Sequence, residues 1–213
     1  MTKFKMTLRI LLIIFILQTL QIQAKQPQEP NKKSIELFKL AIDTLQSADK
    51  NNLQKRKTIA LNLFSKAIEA DKKNIPAYLW KIIILTNLKK YDDALKIIND
   101  AIESSKNNAD FMLPQLFMSK GSLYLLQNDN QKAKWAYYDA IKAFKEVLKE
   151  NKCNSEAVTY IPMIYAIVGE KDKAFQYIEN NKKCYQHINI EQLKKIIKDF
   201  KIETFIEQLK KQG

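Results

Sequence analysis

A small residue recurs along the chain in a fixed local setting, and this recurrence constrains the fold more than any other feature. Ala60, Ala94, Ala133 and Ala174 are separated by 34, 39 and 41 residues. Four residues after each alanine stands a large apolar residue, and seven residues after the first three stands another alanine; these are Phe64, Ile98, Tyr137 and Ile178, then Ala67, Ala101 and Ala140. Positions i, i+4 and i+7 lie on one face of an α-helix. The pattern predicts four helices that pack closely through a small–large–small face, with Asn181 breaking the fourth.

Each of the last three predicted helices is preceded by a second apolar segment and a short turn. Phe117, Lys120, Gly121 and Tyr124 follow the spacing W-x2-L-G-x2-Y, and 78–85 and 158–165 follow it more loosely. The turn segments LKKYDDAL and VGEKDKAF match one another at corresponding positions. At these residues the sequence resembles the tetratricopeptide repeat family. The resemblance implies an all-α fold, a right-handed α–α superhelix (solenoid) of three to four helical hairpins that bury their faces by stacking.

The repeat pattern sets the expected domain boundaries. The array is predicted to span 34–187, with hairpins at about 34–74, 75–108, 111–152 and 154–184. Ser34 is the predicted N-cap of the first helix. Residues 188–213 are predicted to form a pair of C-terminal capping helices, because their apolar residues recur at helical spacing. With only 3 glycines and 5 prolines, the composition also favours an all-helical chain.

The first 24 residues differ from the remainder of the chain. Lys3, Lys5 and Arg9 precede an apolar run from Ile10 to Leu17, and Ala24 provides a small residue for cleavage. This order is typical of a secretory signal peptide. We therefore predict a signal peptide at 1–24, a flexible leader at 25–33, and a periplasmic or secreted protein. The alternative is an uncleaved inner-membrane anchor through residues 10–20.

The charge of the chain is strongly basic but of limited diagnostic value. The formal net charge of +13 falls to +10 when the three basic residues of 1–24 are removed. Arg9 and Arg56 are the only arginines, so the excess is lysine, whereas nucleic-acid recognition favours arginine. We expect no nucleic-acid partner. A weak contact with an anionic membrane surface stays open.

The residues needed for catalysis or cofactor binding are scarce. His187 is the only histidine, there are two cysteines, and the three glycines form no phosphate-binding loop. Cys184 and His187 are spaced for a nucleophile pair, but no orienting group accompanies them. We predict that the protein is not an enzyme and has no metal site and no cofactor.

Cys153 and Cys184 are better interpreted as a pair. They flank the fourth predicted hairpin, whose two helices return the chain to its starting end. Export to an oxidising compartment and an even number of cysteines make a disulfide the natural hypothesis. Two free thiols are the alternative.

The resemblance also implies where a partner binds, namely a concave groove lined by the first helix of each hairpin. The corresponding residues are Leu79, Trp80, Ile83, Met118, Ser122, Leu125, Tyr160 and Met163. The family's carboxylate clamp is not expected, because its positions hold Pro76, Trp80, Ile83, Gln115 and Ser119. An apolar groove favours a nonpolar or amphipathic peptide or helix from another protein. Whether the groove is free or covered by the leader or a capping helix is left open at this point.

Overall fold

The computed structural model describes residues 31–47, 52–105, 112–186 and 188–211. Within these ranges the chain forms α-helices, a 3-10 turn at Lys182–Cys184, and no strand. The helices are α1 Lys32–Gln46, α2 Leu53–Ala70, α3 Ile75–Asn87, α4 Tyr91–Ser105, α5 Leu113–Leu126, α6 Asn130–Glu150, α7 Ser155–Ile167, α8 Lys171–Asn180, α9 Ile190–Asp199 and α10 Ile202–Lys211.

Successive helices pair into hairpins, and successive hairpins stack. The pairs α1–α2, α3–α4, α5–α6 and α7–α8 pack together, while α2 contacts α3, α4 contacts α5, and α6 contacts α7. Each hairpin therefore buries its apolar faces against its own partner helix and against the next hairpin. The predicted all-α solenoid of helical hairpins is confirmed.

The small–large–small face lies at the centre of this packing. All four anchor alanines and the large residues that follow them are at most 1% exposed. Gly121 shows why the facing helix also requires a small residue, since a Cβ atom there would lie 2.8 Å from the ring of Tyr137. That distance is shorter than van der Waals contact. Helices α5 and α6 can approach this closely because Gly121 has no side chain.

Two core clusters matter for the functional site. The α3–α5 cluster consists of Ile75, Tyr78, Ile82, Leu85, Ala94, Ile98, Ala101, Leu116, Leu123 and Leu126. The α5–α7 cluster consists of Leu125, Ala133, Tyr137, Ala140, Ile141, Phe144, Ala157, Ile161 and Ile164. Helix α5 contributes to both clusters and therefore lies between them.

The turns inside the second, third and fourth hairpins share one geometry. Lys89, Asn128 and Gly169 have φ values of 58°, 62° and 83°, in the left-handed region. In each turn, the next residue donates its backbone N–H to a carbonyl five residues earlier, at 2.7 to 2.9 Å. This arrangement ends a helix by satisfying its last carbonyls, so the following helix starts after only a short connection.

The start of α1 differs from the prediction. The helix begins at Lys32, and the side chain of Asn31 caps it by accepting from the N–H of Lys33 at 3.0 Å. Ser34 is instead buried, and its hydroxyl donates to the carbonyl of Ala67 at 2.7 Å. Ser34 therefore holds α1 against α2, a contact between distant residues that local capping patterns do not encode. Residues 31–33 of the predicted leader belong to the cap and first turn of α1.

The two C-terminal helices follow different paths. Helix α9 packs on α8 and also contacts α7, so it covers the last hairpin as a cap. Helix α10 contacts α5, the first helix of the third hairpin. Lys171 holds the reversal between them, since its ammonium donates to the carbonyls of Lys198 and Phe200, both at 2.8 Å.

The predicted signal peptide at 1–24, the leader residues 25–30 and His187 lie outside the described residues. None of the described helices combines the length and the apolar content that crossing a membrane requires. The described side chains include no group of three or more His, Cys, Asp or Glu residues placed to hold a metal ion.

Candidate functional site

The predicted groove residues lie on the first helices of three successive hairpins, α3, α5 and α7. Leu125 is buried, with 5% exposure, and the other seven are partly buried. A row of half-buried side chains contributes to the core and still presents apolar surface. These residues therefore both support the packing of neighbouring helices and leave apolar surface available to a partner.

In the second hairpin, the groove residues support the packing of neighbouring helices. Trp80 lies over Phe64 of α2, with ring centroids 6.4 Å apart and ring planes 9° from parallel. Leu79 packs against the α3–α5 cluster. Stacked aromatic rings of this kind contribute to stability beyond their buried area. Trp80 is thus a structural residue as well as a candidate contact.

In the third hairpin, Ser122 is tied to the adjacent helix. Its hydroxyl lies 3.0 Å from the hydroxyl of Tyr137 on α6. Burial raises the pKa of Tyr137, opposed by the hydrogen bond with Ser122. The phenol therefore stays protonated and able to donate at neutral pH. Met118 packs against the α5–α7 cluster, of which Leu125 is a member.

In the fourth hairpin, Tyr160 and Met163 contact different parts of the core. Tyr160 stacks on Phe144 of α6, with centroids 5.9 Å apart and planes 11° from parallel. Burial, and then the charge of Glu156, raise the pKa of Tyr160. Met163 packs against a third cluster that includes Val158, on the side of the array where α9 lies.

Helix α10 packs on α5, one of the three helices that carry the predicted groove residues. Its apolar residues Ile202, Phe205 and Ile206 pack against the α5–α7 cluster, and Leu209 packs against the α3–α5 cluster. With ten residues, α10 is about 15 Å long, which is more than one spacing between packed helices. The helix therefore runs across α5 from one core cluster towards the other, and the third hairpin carries the last described helix of the chain.

A buried polar pair between α5 and α7 was not predicted. The side-chain amide of Gln115 donates to Glu156 Oε2 at 3.0 Å. Gln115 is 2% exposed, and its Oε1 is buried without a hydrogen-bond partner. Desolvation raises the pKa of Glu156, and the hydrogen bond from Gln115 opposes that rise. The pair links the third hairpin to the fourth, but the unpaired Oε1 of Gln115 costs free energy.

The sequence does contain a signal for this pair. Gln115 and Glu156 each lie 18 residues before an anchor alanine, Ala133 and Ala174 respectively. Equivalent positions in stacked repeats lie next to one another, so equal offsets identify neighbours. Polar residues at equal offsets were detectable; the hydrogen bond between them depends on how the two helices pack.

The cysteines are brought together as predicted. The Sγ atoms of Cys153 and Cys184 lie 1.98 Å apart and their Cα atoms 4.8 Å apart, which is disulfide distance. Cys153 precedes α7, and Cys184 ends the 3-10 turn that follows α8. The pair therefore joins the two ends of the fourth hairpin. Because Cys184 is bonded, it has no free thiol for a nucleophile pair with His187.

The fold and the site together define a class of protein, the helical-repeat scaffolds. Its features here are stacked hairpins, tight turns that each contain a residue of left-handed backbone conformation, and a row of half-buried apolar side chains. Comparison with known families agrees. The sequence model of the family described as "Tetratricopeptide repeat" matches residues 59–111, which include most of α2 and all of α3 and α4. Together with the all-helical hairpin array, this match over about a quarter of the chain supports a protein of the tetratricopeptide repeat family. No curated protein matches the sequence. Repeats of this family generally mediate protein–protein interaction and are typically non-enzymatic.

Proposed function

We propose that the protein is an exported, non-enzymatic interaction module that binds a peptide or helix of a partner protein along α3, α5 and α7. The observation that carries the proposal is the row of partly buried apolar residues on these three first helices. Half-buried methionine and aromatic side chains offer contact area without requiring a deep pocket, as in helix-in-groove recognition.

Charge supports the encounter step of this proposal. Without residues 1–24 the chain has a formal net charge of +10, almost all from lysine. Lysines around an apolar groove accelerate association with an acidic partner while adding little to the final affinity. The partner we propose is therefore an amphipathic segment with an acidic exposed face. Its association should slow as ionic strength rises.

Export is supported by two separate features of the sequence and the structure. Residues 1–24 have the order of a signal peptide, and Cys153 and Cys184 lie at disulfide distance, as suits an oxidising compartment. A scaffold kept at the membrane by an uncleaved anchor is the alternative. Mass spectrometry of the protein from a periplasmic extract separates the two, because only cleavage removes the mass of residues 1–24.

Variants of the groove test the binding proposal. Met118→Gln and Met163→Gln replace flexible apolar side chains by polar ones of similar length, so we expect loss of partner capture with helicity preserved. Trp80 is a poorer choice, because its ring supports the contact with Phe64. The measurement is affinity capture from the native cell envelope, followed by mass spectrometry of the proteins retained.

Trp135 provides the matched control. It is the most exposed large apolar residue of the described chain, at 59%, and lies on α6, a second helix. Trp135→Gln should leave capture unchanged if the first helices form the site. Capture that survives both methionine substitutions, or that is lost with Trp135→Gln, would contradict the groove assignment.

A further inference from the structure

Helix α10 is attached to the array through one apolar face. Ile202, Phe205, Ile206 and Leu209 lie at positions i, i+3, i+4 and i+7, and all four pack against the core clusters that α5 joins. Glu207 pairs with Lys211 at 3.4 Å, within the helix itself. The docking of α10 thus rests on the same stripe that a separate amphipathic helix would use.

The same helix is incompletely buried. It contains no buried residue, whereas every other α-helix of the described chain contains at least two. Gln208 Oε1 is buried without a hydrogen-bond partner. An unpaired buried acceptor costs free energy, so α10 fits its position imperfectly. A helix with an apolar residue in place of Gln208 would avoid that cost.

We propose that the α5 surface beneath α10 is a docking site for an amphipathic helix of the partner protein, and that α10 occupies this site until the partner displaces it. This inference rests on the proposed function and specifies its ligand. The ligand is a helix of about three turns with large apolar residues at i, i+3, i+4 and i+7, as in α10. An extended peptide would not reproduce this spacing.

Competition between α10 and the partner follows from the connection. Only Phe200 and Lys201 separate α10 from α9, so α10 faces the site at an effective concentration on the order of millimolar. A free helix must overcome this local competitor. Weakening the hold of α10 should therefore increase the apparent affinity of the site for an added helix.

The test uses the full chain and a synthetic probe. The probe is a fluorescein-labelled peptide with the sequence of residues 200–211, and its binding is followed by fluorescence anisotropy. Phe205→Asp places a charge in the apolar stripe of α10 and should release the helix. We expect the probe to bind the Phe205→Asp protein at least tenfold more tightly than it binds the unaltered protein.

Three controls distinguish binding of the probe at the α5 surface from binding elsewhere on the protein. Thr204→Asp adds the same charge to the neighbouring, exposed position of α10, and should leave probe binding as in the unaltered protein. A probe that carries Phe205→Asp itself should not bind. Met118→Gln combined with Phe205→Asp should reduce probe binding again, because Met118 packs against the α5–α7 cluster.

Hydrogen exchange reports the state of α10 directly. The amides of α10 should lose protection in the Phe205→Asp protein while those of α5 and α6 keep theirs. Retained protection in α10 would overturn the proposal, because a displaceable helix must release when its stripe is charged. Equal probe binding by all variants would overturn it as well, since the probe would then attach elsewhere.

The probe experiment and the capture experiment can fail separately. If the probe does not bind but partner capture depends on Met118 and Met163, the groove binds a partner in another form and only the inference about α10 falls. If the probe binds but no partner depends on these methionines, the docking site exists and the proposed function falls.

Discussion

Helices α9 and α10 are neighbours of equal length, and both carry an apolar stripe, yet the array holds them very differently. In α9, Ile197 is fully buried and Leu193 is 6% exposed; in α10 no residue is fully buried. Helix α9 is also tied to α8 by an ion pair, since Lys194 Nζ lies 2.6 Å from Glu179 Oε1.

The segment that leads into α9 adds to this difference. Tyr185 is buried, and its hydroxyl donates to the carbonyl of Val158 on α7 at 2.6 Å. Helix α9 therefore completes the core of the last hairpin, whereas α10 lies on the surface of the array. Two amphipathic helices of similar sequence pattern can thus serve as a structural cap and as a removable cover.

The largest expected effect comes from equal truncations in the two helices. Ile197→Ala should reduce the free energy of unfolding by about 4 kcal/mol, because it leaves a cavity beneath α9. Ile206→Ala removes the same atoms from a partly exposed site and should cost about 1 kcal/mol or less. Urea unfolding followed by circular dichroism measures both values. Similar losses in the two variants would mean that α10 belongs to the core as much as α9 does.

The second effect concerns the disulfide that closes the fourth hairpin. Replacing both Cys153 and Cys184 by serine should reduce the free energy of unfolding by about 3 kcal/mol, because a loop with a sequence separation of 31 is no longer closed in the unfolded chain. The bond lies in the hairpin on which α9 packs. Hydrogen exchange should therefore increase in α7, α8 and α9.

Helix α10 provides the internal control for that experiment. Its amides lie against α5, outside the loop that the disulfide closes, so their exchange should change least. A change in α10 as large as that in α9 would show that both helices depend on the fourth hairpin to the same extent, and this would contradict the contrast between them.

The smallest effect is a pH dependence of the contact between α8 and α9. Hydrogen bonds from Lys182 and Lys194 lower the pKa of Glu179 below its ordinary value of 4.5. A carboxylate with a lowered folded-state pKa stabilises the protein above its unfolded pKa, and this contribution is lost as the pH falls through the folded value. Glu179→Gln should therefore lower Tm slightly at neutral pH, and the difference should vanish in acid.

Glu207→Gln is the matched control for this measurement. Glu207 pairs with Lys211 inside α10, and within the described ranges no ion pair joins it to another helix. Its substitution should leave the exchange of α9 amides unchanged at every pH. A Tm difference for Glu179→Gln that persists in acid would mean that the charge of Glu179 is not what holds α9 to α8.

Much of the fold could be predicted from the sequence because the repeat pattern depends on residues that lie close together along the chain. The anchors Ala60, Ala94, Ala133 and Ala174 are buried as their spacing predicts, since residues on one helical face share one environment. The pairing of Cys153 with Cys184 followed from the length of two helices. These predictions needed only the geometry of one hairpin.

The predictions that failed or were missed depend on contacts between distant residues. Ser34 has the chemistry of an N-cap, but its hydroxyl reaches Ala67, so Asn31 takes the capping position. Gln115 and Glu156 are ordinary polar residues until α5 and α7 pack side by side. Propensity describes what a residue does with its immediate neighbours, and here more distant partners decided its role.

The sequence by itself determined that the chain forms stacked helical hairpins, because small and large residues recur at the period of one hairpin and this local pattern leaves few other ways to bury them. It also determined that the last two helices are amphipathic. Only the tertiary structure decided where their apolar faces lie. Both stripes avoid water, but α9 does so against the last hairpin, whereas α10 does so across α5, and Lys171 of α8 holds the reversal between them.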